Sequence, residues 1–210
     1  PDLAANVMAD FSSKGPNKAT YDILKPDITA PGSNVLAAAT PDPMLGPKGQ
    51  SFAYLSGTSM AAPHIAGMAA LLQQQHPDWS PAMIKSALMT TAHQDVLKAN
   101  STVNADLWDF GAGHAAPVAA ANPGLVYDTT ANEYYAFLCG IGRGAFVLAE
   151  SGFSCTDYTN AGYSTEASQL NQPAIAVSKL QKTRTVVREV TNVTDTAAVY
   201  SPEIVIGGGI

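Results

Sequence analysis

The chain has 210 residues, of which 46% are hydrophobic and 13% charged, with a net charge of −6. The hydrophobic share supports a packed core rather than disorder, and the length suits one full domain or parts of two. The negative balance argues against nucleic acid or an anionic membrane surface as partner, because both need basic patches. No apolar run approaches the ~18 residues of a membrane-spanning helix.

The amino terminus, PDLAANVMADFSS, lacks the charged-then-apolar layout of a secretory leader. It begins as though cut from a longer chain, and the last residues, SPEIVIGGGI, stop inside a strand-like pattern. Residues 1–40 read as short strands joined by turns at Gly15-Pro16 and Pro31-Gly32, with Ile28 and Val35-Leu36 as buried-strand candidates. Residues 41–50, PDPMLGPKGQ, form a surface loop, and Ser51 to Leu55 alternates as a brief strand.

A first helix is predicted from near Ser59 to about Gln75, with Pro63 in its first turn. Ile65, Met68, Ala69 and Leu72 recur at helical spacing, while Gly67 and the alanines allow close backbone approach. A second helix has Ser80 as its N-cap, Pro81 at its first position and an end near Ala92. Leu107 to Asp128 reads as loop, Asn132 to Gly140 as a short helix, and 141–168 as a Gly/Ser/Thr-rich connector. After Gln169 the pattern changes to alternation at Ile175, Val177, Val186, Val190 and Val193, the pattern of an opening antiparallel β-sandwich.

Cys139 and Cys155 are the only cysteines. They form either a loop-closing disulfide in an oxidising compartment or two unrelated thiols, Cys139 being a buried apolar one. Asn100-Ser101-Thr102 and Asn192-Val193-Thr194 fit the acceptor pattern for N-glycans, which matters only on a eukaryotic secretory route.

The chemistry concentrates in Gly57-Thr58-Ser59. Gly57 permits a tight turn, and the Ser59 hydroxyl falls at a helix N-terminus whose unpaired N–H groups favour developing negative charge. The G-x-S-x-G elbow of the α/β-hydrolases is not met, because residue 61 is Ala, and no suitable histidine follows the serine. His64 lies five steps along the same helix, turned about 140° away and about 7.5 Å further along the axis, so it cannot take the Ser59 proton. His76 and His93 read as surface or capping residues, and His114, in a flexible GAGH context, is a poor candidate base. No paired Cys/His spacing and no calcium-loop pattern point to a metal, and no motif calls for a cofactor.

GTSMAAPHIAGMAALL resembles the active-serine segment of the subtilisin-like serine proteases. FSSKGPN and LKPDITAPG upstream resemble the segment that precedes that serine, and HPDWSPAMIKSALMTTA and DFGAGHAAPVAAANPGLVYD resemble larger members that carry a protease-associated insert. LNQPAIAVSKLQKTRTVVREVTNVT resembles the fibronectin-III-like domain of plant and bacterial members, and the wording of LCGIGRGAF and LNQPAIAVS leans bacterial.

The resemblance implies an α/β fold: residues 1–140 as the C-terminal portion of a three-layer, parallel-sheet catalytic domain, 141–168 as connector, and 169–210 as a partial β-sandwich. It implies Ser59 as nucleophile, with the Ser59 N–H as one oxyanion donor, Thr58 and Gly57 beside it, and Phe11 bordering the leaving-group side of the cleft. Phe11 reads equally as plain core. The family also needs an aspartate in D-[ST]-G, a histidine in H-G-T-H and an oxyanion asparagine, all upstream of the serine, and none of these motifs occurs here. In some members carboxylates near the segment matching KPDI hold a weak cation, where Lys25, two residues before Asp27, stands either as a replacement charge or as a solvated lysine.

The expectation is therefore a fragment of a secreted, extracellular endopeptidase. It is inactive alone, and its partners are a polypeptide substrate and the missing N-terminal portion of the same protease. The alternative is a non-catalytic binding or structural fragment that needs a partner chain.

Overall fold

The computed structural model describes residues 6–44 and 46–204. The first pair of strands in the described residues is a hairpin. β1 (Val35–Ala38) pairs antiparallel with β2 (Phe52–Leu55), Val35 opposite Leu55 and Ala38 opposite Phe52, across the Pro-rich loop.

α1 (Thr58–Gln75) follows at once. It starts at Thr58, one residue before the expected Ser59, and Pro63, its sixth residue, lies in the second turn rather than the first. The missing Pro63 N–H would have bonded the Ser59 carbonyl, which is left without its helical donor. α2 (Pro81–Thr90) begins as expected, with Ser80 Oγ accepting the Met83 N–H at 3.1 Å and Pro81 at the first position.

The two helices meet in a core of Leu72, Trp79, Ile84, Ala87, Leu88, Ala120 and Val126. Fully buried Ser86 fixes the next element by accepting the Tyr127 N–H at 2.9 Å. His76 stacks flat on Trp79, 3.8 Å between centroids, and its Nε2 contacts the Ala121 carbonyl at 3.0 Å, which places it in packing rather than at a free surface.

The stretch 107–128, expected as loop, contains two single helical turns, α3 (Leu107–Phe110) and α4 (Pro117–Ala120), and the short strand β3 (Leu125–Val126). α3 exists because Asp106 and Asp109 cap it reciprocally. Asp109 is buried, 2% exposed, and its carboxylate takes Lys14 at 2.7 Å and Lys98 at 3.7 Å. Desolvation alone would raise its pKa, but the Lys14 bond, the Asp106 N–H and the two positive charges hold it below the ordinary carboxylate value.

α5 (Ala131–Gly140) agrees with expectation, but 141–168 is not a plain connector. It contains α6 (Gly144–Ser151) and α7 (Cys155–Asn160), the latter capped by a Ser154/Asp157 box. These helices pack on α5 around Ala136, Val147 and Tyr158, and a disulfide joins Cys139 to Cys155.

Beyond a 3₁₀ turn at Ala167–Gln169, the described tail to residue 204 runs extended, and β4 (Thr191–Asn192), antiparallel to β3, is its one strand among the described residues. Side chains rather than a ladder hold it. The Arg188 guanidinium gathers the carbonyls of Ser168, Gln172, Ala174 and Val187, while Gln169 and Asn171 accept the Val187 and Glu189 N–H groups. Among the described residues the architecture is thus helices with two small antiparallel sheets, a mixed α/β fragment. Parallel pairing occurs only as isolated bridges, Val7 to Leu97 and Thr29 to His114.

Candidate active site

The Pro31-Gly32 turn lies directly against the start of α1. The Gly57 N–H donates to the Gly32 carbonyl at 2.8 Å, and the Gly57 carbonyl accepts from Met60 and Ala61 at 2.9 and 3.4 Å. A Cβ on Gly32 would stand 2.9 Å from the Gly57 oxygen and 3.3 Å from the Ala61 Cβ, closer than packed atoms tolerate. Glycine at position 32 is therefore what lets the two segments touch. Sequence reading treated it only as turn punctuation, since nothing local announces a neighbour twenty-five residues on. A second tie joins them where the Asn34 N–H donates to Ser56 Oγ at 2.8 Å, with Asn34 in the left-handed region at φ 51°.

The helix opens with no side-chain cap and no acidic residue in its first turn. Among the described residues the N–H groups of Thr58 and Ser59 have no acceptor, and the Ser59 hydroxyl has no partner. Those two N–H groups carry the positive end of an eighteen-residue helix dipole. Thr58 and Ser59 are both exposed. The free donors and open surface could receive a developing oxyanion, while the Ser59 hydroxyl has no base hydrogen-bonded to it among the described residues.

The predicted site residues divide between two adjoining depressions. Phe11, Gly57 and Thr58 line a cavity of about 340 Å³ together with Gly32 and His114. Ser59 faces an open cleft of about 280 Å³ with Val35, Ala37, Met60, Pro63 and His64. Phe11 is 48% exposed at the rim of the first depression.

Among the described residues no histidine ring is hydrogen-bonded to the Ser59 hydroxyl. His64 shares its cleft, but its Nδ1 is tied to the Met60 carbonyl at 2.8 Å. His114 is not in a flexible loop. Its backbone pairs with Thr29 on one side and His93 on the other, and its Nδ1 contacts the Ala115 carbonyl at 3.1 Å.

Below the site, Asp27 bonds Lys25 and also Lys85, the latter at 3.0 Å from α2. Burial would raise the Asp27 pKa, yet the hydrogen bonds and charges of both lysines hold it below its ordinary value. Lys25 is paired with Asp27 and is also part-solvated, its side chain 43% exposed, and Lys85 is a partner that sequence spacing did not reveal. Among the described residues no group of three or more His, Cys, Asp or Glu is placed to hold a metal ion.

Comparison with known proteins identifies the family. The Subtilase family profile matches residues 3–136. Subtilisin-like protease SBT2.5 of Arabidopsis thaliana is 42% identical over 94% of this chain and 26% of its own length. SBT5.3 of the same plant is 44% identical over 90% of this chain and 26% of its own, and a subtilisin-like protease of Glycine max is 43% identical over 90% and 25%. The chain belongs to the subtilase family, the subtilisin-like S8 peptidases. It spans about a quarter of the length of these relatives, all of them plant proteins, so the bacterial leaning of two stretches finds no support among them.

Proposed function

We propose that this chain is the serine-bearing part of a secreted subtilisin-like endopeptidase, with Ser59 as its nucleophile. The observation that carries the reading is the Ser59 hydroxyl, unpaired and exposed at an uncapped helix N-terminus, inside a segment that matches the family. Ser59 Oγ attacks the scissile carbonyl of a polypeptide. A histidine from the rest of the protease takes its proton, and an aspartate orients that histidine. The free Ser59 N–H donates to the developing oxyanion, with Thr58 beside it and an asparagine from elsewhere as second donor. Phe11 borders the leaving-group side.

In this reading residues 1–140 complete a three-layer parallel-sheet catalytic domain that carries a protease-associated insert further upstream. Residues after 169 open a fibronectin-III-like sandwich.

Two physical observations favour a chain that is completed by other residues. α1 is apolar nearly all round, yet only Leu72 on it is buried, while Ala62, Ala66, Gly67, Ala70 and Leu71 face solvent. A helix of that kind belongs inside a protein. The whole chain also exposes 13774 Å², where a compact 21.8 kDa protein exposes about 9,300 Å².

The test is labelling by a fluorophosphonate probe. The full-length protein is expected to label at Ser59, and Ser59→Ala to abolish labelling and lower kcat on the order of 10⁶-fold. Residues 1–210 alone are expected to stay unlabelled. A full-length protein that labels nowhere, yet binds a partner through the α1 face, would establish the non-catalytic alternative.

A further inference from the structure

The two acceptor tripeptides for N-linked glycans are held differently by the fold. Asn192 is exposed and ends β4. Its Oδ1 accepts the Thr194 N–H at 2.9 Å, and its Nδ2 donates to the Thr196 carbonyl at 3.0 Å. The single Thr194 hydroxyl proton lies between Asn192 Oδ1, at 2.8 Å, and the Thr196 carbonyl, at 2.9 Å.

Every one of these bonds joins residues at most four apart. These side-chain bonds are local to the tripeptide and its neighbours, while the backbone on either side of Asn192 is fixed by β3, with the Val193 N–H donating to the Gly124 carbonyl at 3.0 Å. Asn100 differs. It sits at φ 53° in a turn closed by the Lys98 N–H and the Val103 carbonyl, and Ser101 Oγ takes the Val103 N–H. Among the described residues its side chain makes no bond to Thr102.

We propose that Asn192 is an N-glycosylation site, and that it is preferred over Asn100. The donor class is a lipid-pyrophosphate oligosaccharide. Asn192 Nδ2 bonds to the anomeric carbon of the first sugar, the carbon–oxygen bond to pyrophosphate breaks, and the lipid pyrophosphate leaves with the electron pair. Nδ2 gives one proton to a base of the transferase, and nothing is oxidised or reduced.

Amide nitrogens are weak nucleophiles, and donors resting on Oδ1 make the Nδ2 protons easier to lose as the new bond forms. The Thr194 N–H and hydroxyl supply two such donors. A bulky, water-loving glycan also requires an exposed anchor, and Asn192 is one. The proposal rests on the secreted location given above, which the Cys139–Cys155 disulfide supports independently of catalysis.

The experiment expresses the full-length precursor in a eukaryotic secretory host and digests it with trypsin. That places Asn192 on the peptide starting at Glu189 and Asn100 on the peptide starting at Ala99. Treatment with a peptide-N-glycosidase in heavy-oxygen water then marks each formerly glycosylated asparagine as labelled aspartate. Label at 192 is expected, at higher occupancy than at 100, lost completely in Thr194→Ala and kept at lower occupancy in Thr194→Ser. An unlabelled Asn192, or label on Asn100 alone, overturns the proposal. Fluorophosphonate labelling of the same preparation reads the proteolytic proposal separately, so either can fail without the other.

Discussion

The α5–α7 unit and the α1 region are built by the same chain to opposite standards of completion. In the first, three short helices bury Ala136 and Val147 completely, and a disulfide fastens the first of them, α5, to the last, α7. In the second, an eighteen-residue helix buries a single leucine, and its neighbouring hairpin leaves Phe52 and Tyr54 64% and 72% exposed. Length and apolar content do not decide which region is stable by itself. What decides is whether the apolar face finds its partner within the chain.

The broadest way to break this comparison is native-state hydrogen exchange on residues 1–210 alone. Amides of α5 are expected to open with a free energy several kcal/mol, roughly 5, above those of α1. Equal protection in both would end the contrast.

Removing the disulfide with Cys139→Ala and Cys155→Ala is expected to cost about 3 kcal/mol for a loop of this size. The loss should appear as a lower denaturation midpoint for α5–α7, with Ser59 labelling in the full-length protein unchanged. A smaller, sharper probe is Gly32→Ala in the full-length protein. The new methyl must push the 31–32 turn away from Gly57, and a displacement near 1 Å is expected to slow labelling of Ser59 by up to about 10²-fold. Circular dichroism should show the helices intact.

The smallest expected effect is electrostatic. The Asp27 pKa is depressed from its ordinary value of 3.8, so its stabilisation is full above that value and is lost as pH falls below it toward the folded-state pKa. Because Lys25 and Lys85 are 43% and 36% exposed, solvent screening keeps the amount near or below about 1 kcal/mol. Acid titration of Asp27→Asn against the parent checks it. The variant should lose less stability below pH 3.8.

The elements legible in advance were those with strong local signals. α2 announced itself through Ser80-Pro81, and α1 and α5 through helical spacing. α6 and α7 were hidden by a glycine- and serine-rich composition, although the Ser154/Asp157 box was present as a start signal and went unread. At the site, Ser59 and its helix terminus were readable because the needed chemistry lies in adjacent residues. The Gly32 contact, the Asp27–Lys85 pair and the anchoring of His114 were not readable, because each depends on segments brought together across tens of residues. The extended tail is a separate case. Alternation at Val186 and Val190 reads as strand, but β4 is only two residues long, and polar side chains take the place of a ladder.

The Arg188 guanidinium works as a clasp on the tail. Since it grips carbonyls on both sides of residues 175–186, that stretch is a bight of rope tied off at its neck. Lengthening the bight costs little, because closure entropy grows only logarithmically with length. Insertions within this segment are therefore expected to cost little stability, provided the arginine and the three carbonyls it meets across the neck stay where they are.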